Sequence, residues 1–176
     1  MNITVYLGSS YGNAPAYRIA AARLGRYIAS RGDTLVYGGS RIGLMGILAQ
    51  NVVENGGSAI GVEPRFFVDA VVQYEGLSEL IVTETMAERK TRMIEMGDAF
   101  IAFPGGTGTL EEISEIMSLV RLGRTDAPCI LLNLDGYYEP LRAMLEKMVA
   151  EGFLPAAVYA KIRFISEIEE LDDILL

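Results

Sequence analysis

Residues 99–113 read AFIAFPGGTGTLEEI, an unbroken apolar run followed by a glycine-rich turn and a helical pattern. Apolar runs without alternation are typical of parallel strands that are covered on both faces. Three glycines within four residues let backbone N–H groups approach an anion, and a helix amino terminus favours negative charge. The segment therefore predicts a phosphate-binding turn, with a ligand-free strand–helix turn as the alternative. The predicted phosphate-binding residues are Gly105, Gly106, Thr107, Gly108 and Thr109.

The same segment departs from two common nucleotide-binding signatures. No Gly-Lys-Ser/Thr follows it, as a Walker A loop requires, and Glu111 occupies the third glycine position of the dinucleotide-binding pattern. The spacing of Thr109 and Glu112 predicts a capping box at the start of a helix over Thr109–Leu122. A carboxylate at this place would also lie beside a phosphate-bearing ligand, so Glu112 could act on the sugar as well.

Short β-branched runs alternate with helical patterns along the rest of the chain. This alternation predicts an α/β fold, a parallel sheet with helices on both faces, formed by residues 1–176 as a single domain. Arg65–Gly76 fits neither pattern. The predicted strands are Ile3–Leu7, Thr34–Tyr37, Ser58–Val62 (broken by Pro64), Leu80–Thr83, Ala99–Phe103, Cys129–Leu134 and Arg163–Ile165. The predicted longer helices are Pro15–Arg31, Leu44–Glu54, Met86–Met96, Thr109–Leu122 and Glu139–Glu151.

Glycines also follow the first two predicted strands. Ligands of parallel sheets bind beyond the carboxyl ends of the strands. Gly8 and Ser9 stand at the first such end, and Gly38 and Gly39 stand at the second. Each junction alone fits plain turn chemistry, but three of them in one sheet favour a nucleotide-shaped pocket, which makes these four residues candidate ligand contacts.

The segment Met86–Met93 concentrates positive charge in a chain that is otherwise acidic. Arg89, Lys90 and Arg92 lie within four residues, and Arg89 and Arg92 share one face of a helix. A solvated basic face and an anion-binding face fit this segment equally well.

The composition excludes several kinds of site. The 176 residues contain no histidine and one cysteine, and 15 Lys+Arg stand against 23 Asp+Glu, for a net charge of −8. Without histidine there is no Ser-His-Asp triad, no Cys-His pair and no His-ligated metal. A single cysteine forms no internal disulfide and no multi-cysteine metal site. We therefore expect neither a metal nor a cofactor.

Charge and hydropathy also limit the classes of partner and the cellular compartment that we expect. A negatively charged surface repels phosphate backbones, so we expect no nucleic acid partner. The chain opens without a basic, signal-like segment, and no run reaches the ~18 apolar residues of a membrane span, so we expect no membrane association. Cys129 lies in an apolar run and is expected to be a buried thiol. Such cysteine usage suits a reducing cytoplasm.

Two motifs together resemble the Lonely Guy family, cytokinin riboside 5′-monophosphate phosphoribohydrolases that were long labelled lysine decarboxylases. The family's Pro-Gly-Gly-x-Gly-Thr-x-x-Glu and Met-x-x-Arg-Lys motifs stand here as Pro104–Glu112 and Met86–Lys90. The similarity extends over nearly the whole chain, and it includes Leu7–Ser10, Tyr37–Gly46 and Asn133–Tyr138.

The resemblance implies a Rossmann-like nucleotide-binding domain, usually a homodimer with active sites near the subunit interface. It also implies hydrolysis of the N-glycosidic bond of a purine nucleoside 5′-monophosphate, AMP or an N6-substituted AMP, to free base and ribose 5-phosphate. By the same resemblance, Arg89 and Glu112 are the catalytic pair. Residues 105–109 hold the 5′-phosphate, and Lys90 and Ser118 are further substrate-binding positions.

Three positions depart from the family pattern. The common histidine of Met-His-x-Arg-Lys is Ala87, and Arg41 ends a segment that the family has as Tyr-Gly-Gly-Gly-Ser. A substrate-contacting glutamate of many relatives aligns with Val71, and Glu75 is the nearest acidic residue downstream. These departures concern recognition of the base and the ribose more than phosphate binding or bond cleavage.

Two other functions are compatible with parts of the pattern. A pyridoxal-phosphate lysine decarboxylase needs a lysine that forms a Schiff base, and only Lys90 lies near a motif. A non-catalytic nucleotide or molybdenum-cofactor-type carrier would need the phosphate-binding turn but no carboxylate beside it.

Two predicted helices, Met86–Met96 and Thr109–Leu122, carry more apolar residues than one packed face requires. The excess favours a homodimer, with burial inside the single chain as the alternative. The apolar residues in question are Met93, Met96, Ile113, Ile116, Met117 and Val120.

Overall fold

A seven-stranded sheet forms the centre of the structure, a computed structural model that describes residues 1–70 and 73–175. Its strands are β1 Asn2–Tyr6, β2 Thr34–Tyr37, β3 Ser58–Pro64, β4 Glu79–Thr83, β5 Ala99–Ala102, β6 Cys129–Leu132 and β7 Ile162–Ile165. All neighbouring strands are parallel, in the order β4-β3-β2-β1-β5-β6-β7. The predicted Rossmann-like α/β fold is confirmed.

Helices cover both faces of this sheet. They are α1 Pro15–Ser30, α2 Gly43–Glu54, α3 Arg65–Val68, α4 Met86–Met96, α5 Thr107–Arg121, α6 Glu139–Ala150 and α7 Ala156–Tyr159. Successive strand residues point to opposite faces, so Val5 packs with α1 and α2 while Tyr6 packs with α4, α5 and α6. Both cores are apolar, which explains why the central strands show no polar alternation.

The strand order reverses between β1 and β5. From β1 the chain adds β2, β3 and β4 on one side, and it then returns to place β5 against the other side of β1. The connections after β1 and β5 therefore diverge and leave a crevice at the carboxyl edge of the sheet. Ligands of doubly wound folds bind at such a switch point.

Most element bounds differ from the predicted ones by one or two residues, and one of these differences removes a predicted interaction. Helix α5 begins at Thr107 and has Gly106, in extended conformation, as its N-cap, without a side-chain capping bond. The predicted capping box of Thr109 and Glu112 is therefore wrong, because Thr109 already lies inside the helix. Strand β3 continues through Pro64, where a break was expected. Neighbouring β2 ends opposite Gly61, so a proline beyond that point has a strand on one side only.

The apolar residues that were taken to favour a dimer pack inside the chain. Met93, Ile113 and Ile116 are fully buried, and Met117 and Val120 nearly so, in the core beneath α4 and α5. Met96 packs against the same core. These side chains thus give no support to a dimer. Among residues 1–70 and 73–175, no helix is both long and apolar enough to cross a membrane.

Candidate active site

A cavity of about 340 Å³ lies at the switch point between β1 and β5. Its floor is the end of β1, and its walls come from α4, α5 and the turn after β2. The lining of the cavity has an apolar side and a polar side. The apolar side includes Met45, Phe67, Met86 and Met93, and the polar side includes Ser9, Arg89, Thr107, Thr109 and Glu112.

The glycine-rich turn lies at one side of the cavity, where α5 begins. Thr107, Gly108 and Thr109 form the first helical turn, and the N–H groups of a first turn have no acceptor within the helix. A Cβ atom at Gly106 or Gly108 would meet no atom of residues 1–70 and 73–175 within 4 Å. Packing therefore does not require glycine at these two positions. The open space above the backbone is what an approaching anion needs.

Gly105 has a different role from the other glycines of the turn. A Cβ atom there would overlap Thr109 Oγ1 and would lie 2.9 Å from the backbone nitrogen of Gly8. The Gly8 N–H donates to the Pro104 carbonyl at 3.3 Å, which ties the turns after β1 and β5 together. The Tyr137 hydroxyl donates to the Gly105 carbonyl and adds a further support. Gly105 thus permits close backbone packing behind the cavity.

Arg89 and Glu112 form a buried ion pair in the cavity wall. Arg89 Nη1 donates to Glu112 Oε1 at 2.6 Å, and each side chain is 10% exposed. Arg89 Nε donates to the Val62 carbonyl at 2.9 Å, so the end of β3 fixes the guanidinium. Gly38 provides the necessary room, because a Cβ atom there would lie 2.5 Å from Arg89 Nη2. Glu112 is therefore held by Arg89 of α4, which is itself fixed by β3, and not by a capping interaction.

The local start of α4 explains how Arg89 reaches this place. The Thr85 side chain caps the helix by accepting from the Glu88 N–H at 3.1 Å, and Glu88 Oε2 accepts from the Glu84 N–H at 2.8 Å. This reciprocal cap fixes the first turn of α4 at the carboxyl edge of the sheet. Arg89, in the next position, consequently points inward from the buried side of the helix.

The surroundings of Glu112 shift its pKa in the direction that suits acid–base catalysis. Burial raises the pKa of the Glu112 carboxyl, and the adjacent Arg89 guanidinium opposes that rise. Burial also raises the pKa of the Tyr6 hydroxyl, with Glu112 adding to the effect. A carboxyl group whose pKa is raised by burial beside a specific cation, within a cleft, is a common feature of catalytic sites.

The structure brings most of the predicted site residues together. Gly8, Ser9 and Gly38 line the same cavity as the turn of Gly106–Thr109. Gly39 lies behind it, with φ +82° and its backbone against Glu63. Val71, the predicted departure from the family glutamate, lies outside the described residues.

Two predicted substrate contacts, Lys90 and Ser118, lie outside this cavity. Lys90 Nζ donates to Glu111 Oε1 at 2.7 Å and lies 3.2 Å from Glu115 Oε2. Ser118 lies six residues beyond Glu112 on α5, which turns it toward a separate groove against α6. Its hydroxyl donates to the Ser114 carbonyl at 2.9 Å. In the single chain, neither side chain contacts the space between Arg89 and the glycine-rich turn.

The surroundings of Lys90 argue against Schiff-base chemistry. Its hydrogen bonds to Glu111 and Glu115 raise the pKa of the ammonium group. A Schiff-base lysine instead needs a lowered pKa and a place in the cofactor pocket. Both the charge state and the position of Lys90 are therefore unsuited to a pyridoxal-phosphate enzyme.

Sequence reasoning missed the apolar wall of the cavity and a second buried acid. Phe67 belongs to the segment that fitted neither pattern, and its helix α3 has only four residues, too few to show a period. Glu63 was placed beyond the end of its strand, but it is a buried residue of β3. An acid within the otherwise apolar run of residues 59–64 is the signal that could have identified it.

Comparisons with known proteins agree with this geometry. Residues 45–175 match the family model described as "Possible lysine decarboxylase". A probable cytokinin riboside 5′-monophosphate phosphoribohydrolase of Oryza sativa subsp. japonica is 44% identical over 154 residues, 88% of this chain and 69% of that protein. A cytokinin riboside 5′-monophosphate phosphoribohydrolase of Rhodococcoides fascians is 42% identical over 170 residues, 96% of this chain and 85% of that protein.

Among solved structures, the molybdenum cofactor binding protein of Rippkaea orientalis superimposes with a TM-score of 0.75. The match covers 99% of this chain and 97% of that chain at 24% identity, so it concerns the fold alone. The family match and the two relatives are more specific, because the family model covers Arg89 and Glu112 and the relatives are 42% and 44% identical to this chain. The chain belongs to the Lonely Guy family, whose model carries the lysine decarboxylase description.

Proposed function

We propose that the protein hydrolyses the N-glycosidic bond of a purine nucleoside 5′-monophosphate and releases the free base and ribose 5-phosphate. AMP or an N6-substituted AMP is the proposed substrate. The observation that supports this most directly is the buried Arg89–Glu112 pair in the same cavity as the open helix terminus at Gly106–Thr109. The open helix terminus suits a phosphate, and the Glu112 carboxylate lies in the same cavity, which is the combination that a nucleotide hydrolase requires.

The roles of the residues follow from the charge that develops in the reaction. Cleavage of a glycosidic bond passes through an oxocarbenium-like transition state. The Glu112 carboxylate stabilises that cation and activates the attacking water. The backbone N–H groups of Thr107–Thr109 hold the 5′-phosphate. Arg89 orients the phosphosugar and offsets negative charge on the departing base, because an arginine is too weak an acid to donate its proton readily.

A carrier function explains less of the site. A molybdenum cofactor binding protein shares this fold, which makes a carrier the second candidate function. Carrying a phosphorylated ligand requires the helix terminus but no carboxylate next to it, since a negative charge there repels the ligand. The buried Glu112 therefore favours the hydrolase over the carrier.

Incubation with a panel of nucleoside monophosphates, followed by chromatography of the released bases, tests the proposal. We expect base release from AMP or an N6-substituted AMP and a far slower release from adenosine, because binding of the remote phosphate positions the reacting bond. Equal rates on AMP and adenosine would contradict it. Tight nucleotide binding without any base release would instead support the carrier.

We further propose that the protein works as a homodimer in the cytoplasm. An apolar groove between α5 and α6 includes Leu141, Met148 and Phe153, and nearby Leu122 and Met144 are exposed. A second copy of the chain would cover this groove. Burial raises the pKa of the free thiol Cys129 to about 12, so an unreactive thiol is compatible with a reducing compartment. The acidic surface disfavours nucleic acid and anionic membranes as partners.

A further inference from the structure

One buried carboxyl group has no role in the mechanism above. Among residues 1–70 and 73–175 the buried acids are Asp33, Glu63 and Glu112. Asp33 accepts from the terminal amino group and from Arg31, each at 2.7 Å, and Glu112 pairs with Arg89. Glu63 is 1% exposed, and its Oε2 atom has no hydrogen-bond partner among the described residues. An unpaired buried carboxyl oxygen is costly, so its retention calls for an explanation.

Glu63 and Arg89 flank the same glycine turn. Val62, the residue before Glu63, accepts the hydrogen bond from Arg89 Nε at 2.9 Å. In the turn after β2, a Cβ atom at Gly38 would lie 2.5 Å from Arg89 Nη2, and one at Gly39 would lie 2.6 Å from Glu63 Cγ. Gly38 thus lies against the Arg89 guanidinium, and the adjacent Gly39 lies against the Glu63 side chain. The two groups are close, yet they form no ion pair within 4.0 Å.

The groups facing Glu63 come from every neighbouring element. Strand β2 contributes Tyr37, whose hydroxyl has no hydrogen-bond partner in the described part of the chain, and Tyr74 lies next to that phenol. Strand β4 places the apolar Val82 opposite Glu63. Helix α3 contributes no free cation, because its Arg65 is exposed and pairs with Glu84 at 3.0 Å. Among these described neighbours, Arg89 of α4 is the one cation that lowers the pKa of Glu63.

We propose that Glu63 is a positioning residue for the proposed hydrolysis: when uncharged, it leaves the Arg89 guanidinium to Glu112 and the anionic substrate, and when ionised, it draws that cation away. The proposal rests on the proposed function. Burial raises the pKa of Glu63 to about 7 although Arg89 opposes the rise, so the change of charge falls near neutral pH. A bound nucleotide phosphate adds further negative charge, and binding above neutral pH should therefore be accompanied by proton uptake.

Steady-state kinetics with AMP between about pH 6 and pH 8.5 test the proposal. In the wild type we expect KM to rise by about tenfold across this range, while kcat changes less, because ionised Glu63 competes for the cation that binds substrate. Glu63→Gln keeps the shape but cannot ionise, so its KM profile should lose this rise and retain the titrations of Glu112 and of the nucleotide phosphate. Glu79→Gln, an exposed acid on β4, is the matched control and should follow the wild type.

Calorimetry of AMP binding gives an independent measurement on the unmodified protein. At about pH 8 the nucleotide phosphate is already a dianion, so proton uptake in buffers of different ionisation enthalpy would come from the protein. Parallel pH profiles for wild type and Glu63→Gln, or binding at pH 8 without proton uptake, would overturn the role of Glu63. Absence of base release from AMP would overturn the proposed function instead, and the calorimetric result would still stand by itself.

Discussion

Replacing Gly108 by alanine is expected to separate binding from stability. The added Cβ would meet no atom within 4 Å among the residues that the structure describes, and Gly108 lies in the first turn of α5 with an ordinary helical backbone. Alanine should therefore stabilise the fold by about 0.4–1 kcal/mol, since it restricts the unfolded chain. The same methyl group occupies the space above the free N–H groups. Loss of one charge-assisted hydrogen bond to phosphate, about 1.5–3 kcal/mol, should raise the KM for AMP by roughly tenfold to a hundredfold.

The assay combines thermal or denaturant unfolding with steady-state kinetics on AMP and adenosine. Gly105→Ala is the contrasting control, because its Cβ would overlap Thr109 and crowd the Gly8 nitrogen. That variant should lose stability as well as activity. If Gly108→Ala binds AMP as the wild type does, the phosphate does not approach this turn. If the KM values of this variant for AMP and for adenosine rise equally, the substitution does not act through the phosphate.

Two further predictions concern the ion pair and the assembly. Glu112→Gln should reduce turnover by ~10²-fold or more, since an amide neither stabilises an oxocarbenium ion nor acts as a base, and it should lower the unfolding free energy by about 1–3 kcal/mol because Arg89 stays buried and charged. Glu111→Gln, an exposed partner of Lys90, should keep most activity, and full activity in both variants would refute the mechanism. Light scattering at micromolar concentration should give twice the 19.2 kDa of one chain, whereas a 19.2 kDa particle would exclude the dimer.

The sequence was sufficient for the fold because its signals are local and repeated. The bounds of α4, Met86–Met96, agree with the prediction, since its apolar positions and the Thr85 cap lie within one short segment. The strand Thr34–Tyr37 agrees as well. Each of these two elements is flanked by residues that end regular structure, so the local sequence is enough to predict its bounds. The glycine-rich turn was located for the same reason.

The Arg89–Glu112 contact could not be derived from local patterns. The two residues are 23 positions apart, on helices that follow different strands, and only the sheet order brings them together. Locally, the spacing of Thr109 and Glu112 favoured a capping box. In the structure α5 starts at Thr107, directly after the extended backbone of Gly106, and the local pattern does not show that conformation. The resemblance, not the periodicity, had identified Arg89 and Glu112 as partners in one reaction.

The energetics of the buried pair bear on the choice between hydrolase and carrier. Removing two charges from water costs free energy that their attraction only partly restores, and well-packed apolar residues often stabilise a fold at least as well. A protein that only carried a phosphorylated ligand would therefore gain nothing from the Glu112 carboxylate, which also repels that ligand. In this cavity the carboxylate is held by a guanidinium that is itself fixed to the Val62 carbonyl. A buried charge beside the proposed phosphate site is explained when a cation forms there, as it does at the sugar during glycosidic cleavage.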